Sequence, residues 1–189
     1  MATNEVKLGI GEVTGMFFHA PAGTALPTYP TETLASAWEE VGDVTSDGIT
    51  QATDMSVETL RNWANRIKRM VKSEHTETIQ APIMDTTEET LKVILGEDAV
   101  EVTPATSTHG KLVTASLSAG ELPPPEAFLF LMKDGDDCMA IGCKNGQITA
   151  LENVSYAPNA GITWTPTITG LEDGWKLIME EGVPDESES

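Results

Sequence analysis

Apolar and polar positions alternate along much of this chain with a period of two, the period of a pleated strand with one wet face. "RIKRMVKSEHTETIQAPIM", Arg66 to Met84, is rich in Ile, Val and Thr. Alternation puts Ile67, Val71, Ile79 and Ile83 on one side and Arg66, Lys68, Lys72, Glu74, Thr76 and Gln80 on the other. It predicts one long, bent strand. "AFLFLMKDGDDCMAIGCKNGQITALENVSY", Ala127 to Tyr156, holds two turn dipeptides, Asp134-Gly135 and Asn145-Gly146. Their residues tolerate the positive φ that type I′ hairpins need, so the stretch predicts a three-stranded meander. Met139, Ile141, Cys143, Ile148 and Ala150 then share one face, and Ala140, Gly142, Lys144, Gln147 and Thr149 the other.

One segment breaks the period. "DTTEETLKVILG" offers Asp85 or Thr86 as N-cap, Glu88 or Glu89 three residues on, Leu91, Ile94 and Leu95 at helical spacing, and Gly96 as a stop. Further strands are expected at Val100–Thr103, Lys111–Leu117, Ile162–Thr169 and Trp175–Met179, the last two joined across Asp173-Gly174. Pro166 makes its strand an edge or marks a bulge, and the three prolines of "ELPPPEA" make a stiff connector. The fold class is therefore mainly β: a sandwich or barrel with one flanking helix and an extended hairpin arm. Residues 1–180 read as a single domain with its arm at 39–65, and 181–189 as an acidic, disordered tail.

"LGIGEVTGMFFHAPAGTALP", Leu8 to Pro27, has the glycines of a phosphate loop at Gly9, Gly11 and Gly15. A phosphate loop passes directly into a helix, whereas this stretch runs into "MFFHAP", a strand closed by Pro21. Charge excludes more. Thirty acidic residues against 11 basic give a net charge of −19, and a grip on phosphate needs clustered cations. No apolar run of about 18 residues and no charged-then-apolar leader occurs, so the chain reads as soluble and unexported. Cys138 and Cys143 read as reduced, half-buried thiols on opposite strand faces, which excludes a shared metal.

Catalytic chemistry finds no constellation. His19, His75 and His109 lack companion nucleophile motifs, and Glu39-Glu40 and Asp136-Asp137 are neighbours whose side chains diverge on strands. Asp134, Asp136 and Asp137 fall short of the spaced ligands of a calcium loop. The chain reads as neither an enzyme nor a cofactor or metal binder, and His19 as a partly buried structural histidine.

"WEEVGDVTSDGITQATDMSVETLRNWANR", Trp38 to Arg66, is long and polar for an excursion inside a small domain. Its acidic part carries Glu39, Glu40, Asp43, Asp47, Asp54 and Glu58. Beyond it lie Trp63 and the cations Arg61, Arg66, Lys68, Arg69 and Lys72, five of the eleven in the chain. Opposite charges on one surface suit head-to-tail contact between identical copies, in rings or filaments. These twelve residues are the candidate contacts between subunits and between rings.

"GMFFHAPAGTALPT", "WEEVGDVTSDGITQATD", the Trp63 region and "GITWTPTITGLEDGW" together resemble the major tail (tail tube) proteins of long-tailed, non-contractile bacteriophages, over roughly Leu8 to Trp175. The resemblance implies six subunits to a ring and rings stacked round a channel for the genome. It implies the Glu39–Asn65 arm as the bridge between rings, with the strand from Arg66 in the sheet. Its partners would be other copies of itself and the tape-measure, terminator and distal tail proteins, in a virion tail assembled in the host cytoplasm. DNA would pass without specific binding, since an acidic wall leaves a duplex, one charge per about 1.7 Å, hydrated and mobile. The competing readings are a tail terminator or connector of related fold, and a carbohydrate-binding β-sandwich module. The second needs clustered exposed aromatics, whereas Trp38, Trp63, Trp164 and Trp175 are scattered.

Overall fold

The computed structural model describes residues 10–11, 17–117 and 121–182. Gly9 and Gly15 of the opening stretch and the acidic end from residue 183 lie outside the described residues. The first half contributes β1 (Ile10–Gly11), β2 (Phe17–Pro21), β3 (Glu39–Gly42), β4 (Thr50–Arg61), β5 (Ile67–Gln80) and helix α1 (Glu88–Leu95). The second contributes β6 (Val100–Thr103), β7 (Leu112–Ala115), β8 (Glu126–Asp134), β9 (Asp137–Leu151), β10 (Pro166–Gly170) and β11 (Lys176–Glu180). Among these residues the main sheet runs β3-β2-β8-β9-β10-β5-β4, with β1 also on β8 and β11 also on β9; β6 and β7 form a separate pair. Beyond the named strands, Val44 bridges Ile83 and Ile83 bridges Trp164, so the sheet curls without closing into a barrel. The fold is mainly β and sandwich-like.

Burial on both faces explains the apolar run of β8. Phe128 and Phe130 join Phe17, Ile79, Ile83, Ile148, Ile168, Trp164 and Trp175 in one cluster, to which α1 adds Val93, Ile94 and Leu95. Ala127 and Leu129 face the other way into a second cluster with Trp38, Leu26 and Leu34, where the loop after β2 covers the sheet. Phe17 stacks on Phe130 at 4.4 Å between ring centroids.

Several expectations are corrected. The first hairpin forms, but its loop is Gly135-Asp136 between the paired Asp134 and Asp137, with φ 61° at Gly135 alone. Positive φ at the first loop position is the type II′ pattern, not I′. Asn145-Gly146 does not turn at all. β9 runs through it, and the register between Phe128↔Cys143 and Glu126↔Gly146 gains a residue, a β-bulge. A Cβ on Gly146 would lie 2.7 Å from Cys143 Sγ and 2.8 Å from Phe128 Cδ2, so close packing, not turning, requires glycine there. The bulge still sends Cys143 and Ile148 into the same cluster, as a turn would have done. The helix is capped by Thr87, whose side chain accepts from Thr90 N. Asp85 accepts instead from Asp43 N, and Thr86 Oγ1 from Trp164 Nε1. Nor do β10 and β11 pair; both pair with β9, at 146–151 and 138–142 respectively. Pro166 opens β10, which is internal and bulged after Thr167. The thiols are fully buried rather than half-buried, at 5% exposure for Cys138 and 1% for Cys143.

Candidate functional site

The long strand β5 has two lives. Its last residues, Thr78–Gln80, pair with β10 and bury Ile79 in the core. From Glu77 outward β5 pairs with β4 alone, and every residue of β4 is exposed. At ~3.3 Å per residue, the paired stretches 53–61 and 67–77 form a hairpin arm that projects roughly 30 Å. Its tip is closed by Asn62: the backbone N–H of Arg66 donates to its Oδ1 at 2.9 Å, and its own N–H donates to Arg66 O at 3.0 Å. Asn65 takes φ 57°, a left-handed position that asparagine tolerates.

Residues opposite one another in an antiparallel pair share a face. Met55, Val57, Thr59, Met70 and Ile67 therefore lie on the same side of the arm as Ile79, interleaved there with His75, Lys72 and Arg61. Met55 and Met70 are about 60% exposed (61% and 62%), and Trp63 at the tip is fully exposed. The opposite side carries Asp54, Glu58, Glu74, Val71, Leu60 and Arg69. Two register shifts, at Ser56/Val57 and Leu60/Arg61, correct the simple alternation: Val71 lies on the side opposite Ile67 and Ile79, and Lys72 lies on the same side as Ile79.

The twelve candidate residues divide into two places. Asp54, Glu58, Arg61, Trp63, Arg66, Lys68, Arg69 and Lys72 are together on the arm, all of them exposed. Arg61 donates to Asn65 O at 3.0 Å, and among the described residues none of the five cations forms an ion pair. Glu39 and Glu40 are instead in β3, at the other end of the strand order. Asp43 follows β3 and is tied to Asp85, and Asp47 sits in the turn closed by Gly48 N to Thr45 O. The arm thus runs from Thr53 to Glu77, and the 39–49 segment belongs to the body.

Glu77 anchors the base of the arm. One carboxylate oxygen accepts from Trp175 N at 2.9 Å and the other pairs with His75 Nε2 at 2.8 Å. The Trp175 amide first, then the His75 hydrogen bond, hold its carboxyl below the usual range.

A groove runs beside α1, which sequence reasoning missed because its walls are far apart in the chain. Its first part, about 400 Å³, is lined by His19, Glu39, Glu89, Lys92, Glu97 and Glu126 with Pro123 and Pro124. It shares Gly96, Glu97 and the prolines with a second depression of about 610 Å³ that adds Asp98 and Glu121. That one shares Leu95, Leu122 and Pro123 with an apolar depression of about 350 Å³ bordered by Ile94, Leu117, Ile148 and Leu151. The wall is acidic. Lys92 is held by Glu88 at 2.6 Å, and His19 Nδ1 donates to Glu126 at 3.0 Å, which assigns the proton to Nδ1. His19 Nε2, 4.0 Å from Glu39, is enclosed without a hydrogen bond. Among the described residues no group of His, Cys, Asp and Glu has the geometry to hold a metal ion, and no helix is long and apolar enough to cross a membrane.

A family model described as phage tail tube protein matches residues 1–180. No curated protein matches in sequence. Among solved structures, the chain is similar to a chain from the tail of an empty GTA particle refined with C6 symmetry, at 9% identity and TM-score 0.42, covering 87% of this chain and 94% of that one. It is also similar to the tube-terminating cap of the anti-feeding prophage, at 11% identity and TM-score 0.44, covering 95% of this chain and 100% of the other.

Proposed function

The chain belongs to the phage tail tube protein family, and from that premise we propose that it polymerises as stacked hexameric rings into a tube with an acidic channel. Membership of the family makes it a structural part of the virion tail. In this reading residues 1–180 are one tube-forming domain, 181–189 an acidic tail, and the work of the protein is mechanical. Rings assemble in the host cytoplasm and meet the tape-measure, terminator and distal tail proteins at their ends.

One observation supports the reading above the others. A molecule of charge −19 holds five of its eleven cations, without ion partners among the described residues, on an arm that leaves Met55, Leu60, Trp63 and Met70 open to water. Such a surface is costly in a monomer and complementary to the acidic body of another copy. The twelve residues from Glu39 to Lys72 would thereby act across two subunits: the arm supplies Arg61, Arg66, Lys68, Arg69 and Lys72, and the body supplies Glu39, Glu40, Asp43 and Asp47. Carboxylates facing the channel keep the genome from adhering, and screening restricts them to a reach of about 8 Å.

The test is charge reversal on the arm. Lys68→Glu, Arg69→Glu and Lys72→Glu together should abolish tubes in negative-stain images while far-UV circular dichroism and the melting transition of the monomer stay unchanged. Normal tubes from that variant would refute the role of the arm. Wild-type protein that stops at closed rings would make it a terminator.

A further inference from the structure

The arm needs a receptor, and the groove beside α1 matches it in chemistry. We propose that the arm tip of one copy docks in this groove on a neighbouring copy, Trp63 entering the apolar end and the arm's guanidinium groups meeting the carboxylates. This names a partner surface within the tube reading and rests on it.

Complementarity carries the argument. The tip presents one fully exposed indole flanked by Arg61 and Arg66. The groove presents a leucine-rich depression of about 350 Å³ with Glu121 on its edge, continuous with an acidic stretch bearing Glu97, Asp98, Glu39, Glu89 and Glu126. Lys92 spans Glu88 at 2.6 Å and Glu89 at 3.7 Å, and the nearby Lys111 is bound to Glu88, so these four charges balance and leave Glu39, Glu97, Asp98, Glu121 and Glu126 without a cation of Lys or Arg among the described residues. The acidic stretch therefore calls for cations from outside, and the arm holds the one cationic cluster among the described residues. Leu117 and Leu122, at 66% and 56% exposure, are unpartnered apolar side chains at the end where the indole would sit. Among the described residues the arm beyond Glu77 pairs only with itself and projects roughly 30 Å at ~3.3 Å per residue, so its tip is placed to reach the groove of a second copy. A buried aromatic ringed by charge pairs is the composition of an energetic hot spot.

An engineered cross-link in the full chain tests the contact. Ala64→Cys with Leu122→Cys keeps Trp63, and oxidised assemblies should yield a covalent ladder on non-reducing gels, whereas Ala64→Cys with Tyr29→Cys, on the opposite face of the sheet, should not. Glu97→Lys with Glu121→Lys should slow polymerisation at least tenfold, and adding Arg61→Glu with Arg66→Glu should restore it. Wild-type tubes, together with an Ala64→Cys/Leu122→Cys variant that cross-links no faster than the control and charge reversals without effect, would overturn the docking site while leaving the tube intact. Wild-type protein that never polymerises would overturn both.

Discussion

A methyl group on Gly146 would meet Cys143, Phe128 and Ile168 at 2.7, 2.8 and 3.1 Å. None is the free end of a flexible chain, so the core must shift. Gly146→Ala should cost about 1–3 kcal/mol, read as a lower denaturant midpoint at unchanged slope. The same crowding buries the Cys143 thiol and pushes its pKa up to about 12, which makes it inert rather than reactive. Glu77 is the opposite case, a carboxyl whose charged form the fold favours. Its folded pKa lies below its ordinary 4.5, so the native state binds fewer protons than the unfolded chain. The stabilisation is present above the ordinary value and is lost as pH falls through the depressed one. Glu77→Gln should therefore destabilise at neutral pH, and its difference from wild type should shrink below about pH 4.5 in denaturant titrations. A difference that stays constant with pH would show that the carboxylate charge is irrelevant.

At the scale of elements, α1 is locally over-determined. Thr87 caps it, Lys92 reaches back to Glu88, and Thr90, fully buried, donates to Val41 O at 2.7 Å and ties it to β3. The arm has no such ties. Among the described residues its strands pair only with each other, and two exposed strands are marginal in water. Their persistence in isolation rests on continuity with β5 in the core and on Glu77 at the base. Excising 54–76 and joining Thr53 to Glu77 through Asn-Gly replaces the arm with a two-residue turn, since those residues are directly opposite. Calorimetry should find monomer stability changed by less than about 1 kcal/mol, and light scattering should find no polymer. A collapse of the monomer would mean that the arm stabilises the body.

Charge acts on the molecule as a whole. Copies carrying −19 repel at long range, while cation–carboxylate contacts act at touching distance and, once desolvated, are screened less. Raising salt from about 0.01 M to 0.15 M shortens the screening length from about 30 Å to about 8 Å, so polymerisation should first accelerate. Toward 1 M, where it is about 3 Å, the contacts themselves weaken and polymerisation should slow again. Turbidity that falls monotonically with salt would show that repulsion between copies is not limiting.

The readable parts of this protein are those whose information is local. The capping pattern marks the start of α1 to within a residue, and the recurrence of Ile, Val and Thr marks β5 as one long strand. Net charge and the cluster from Arg61 to Lys72 are likewise properties of the string. Asn145-Gly146 was illegible because a small flexible pair serves a turn or a close approach equally well; the packing of Phe128 and Ile168 against it selects the second. The partner of β11, the split of β5 between core and arm, and the meeting of Glu39, Glu97 and Glu126 in one groove are decided by contacts between residues tens of positions apart. Such contacts depend on which surfaces are left to bury once the neighbours have paired, and no short window of sequence contains that choice.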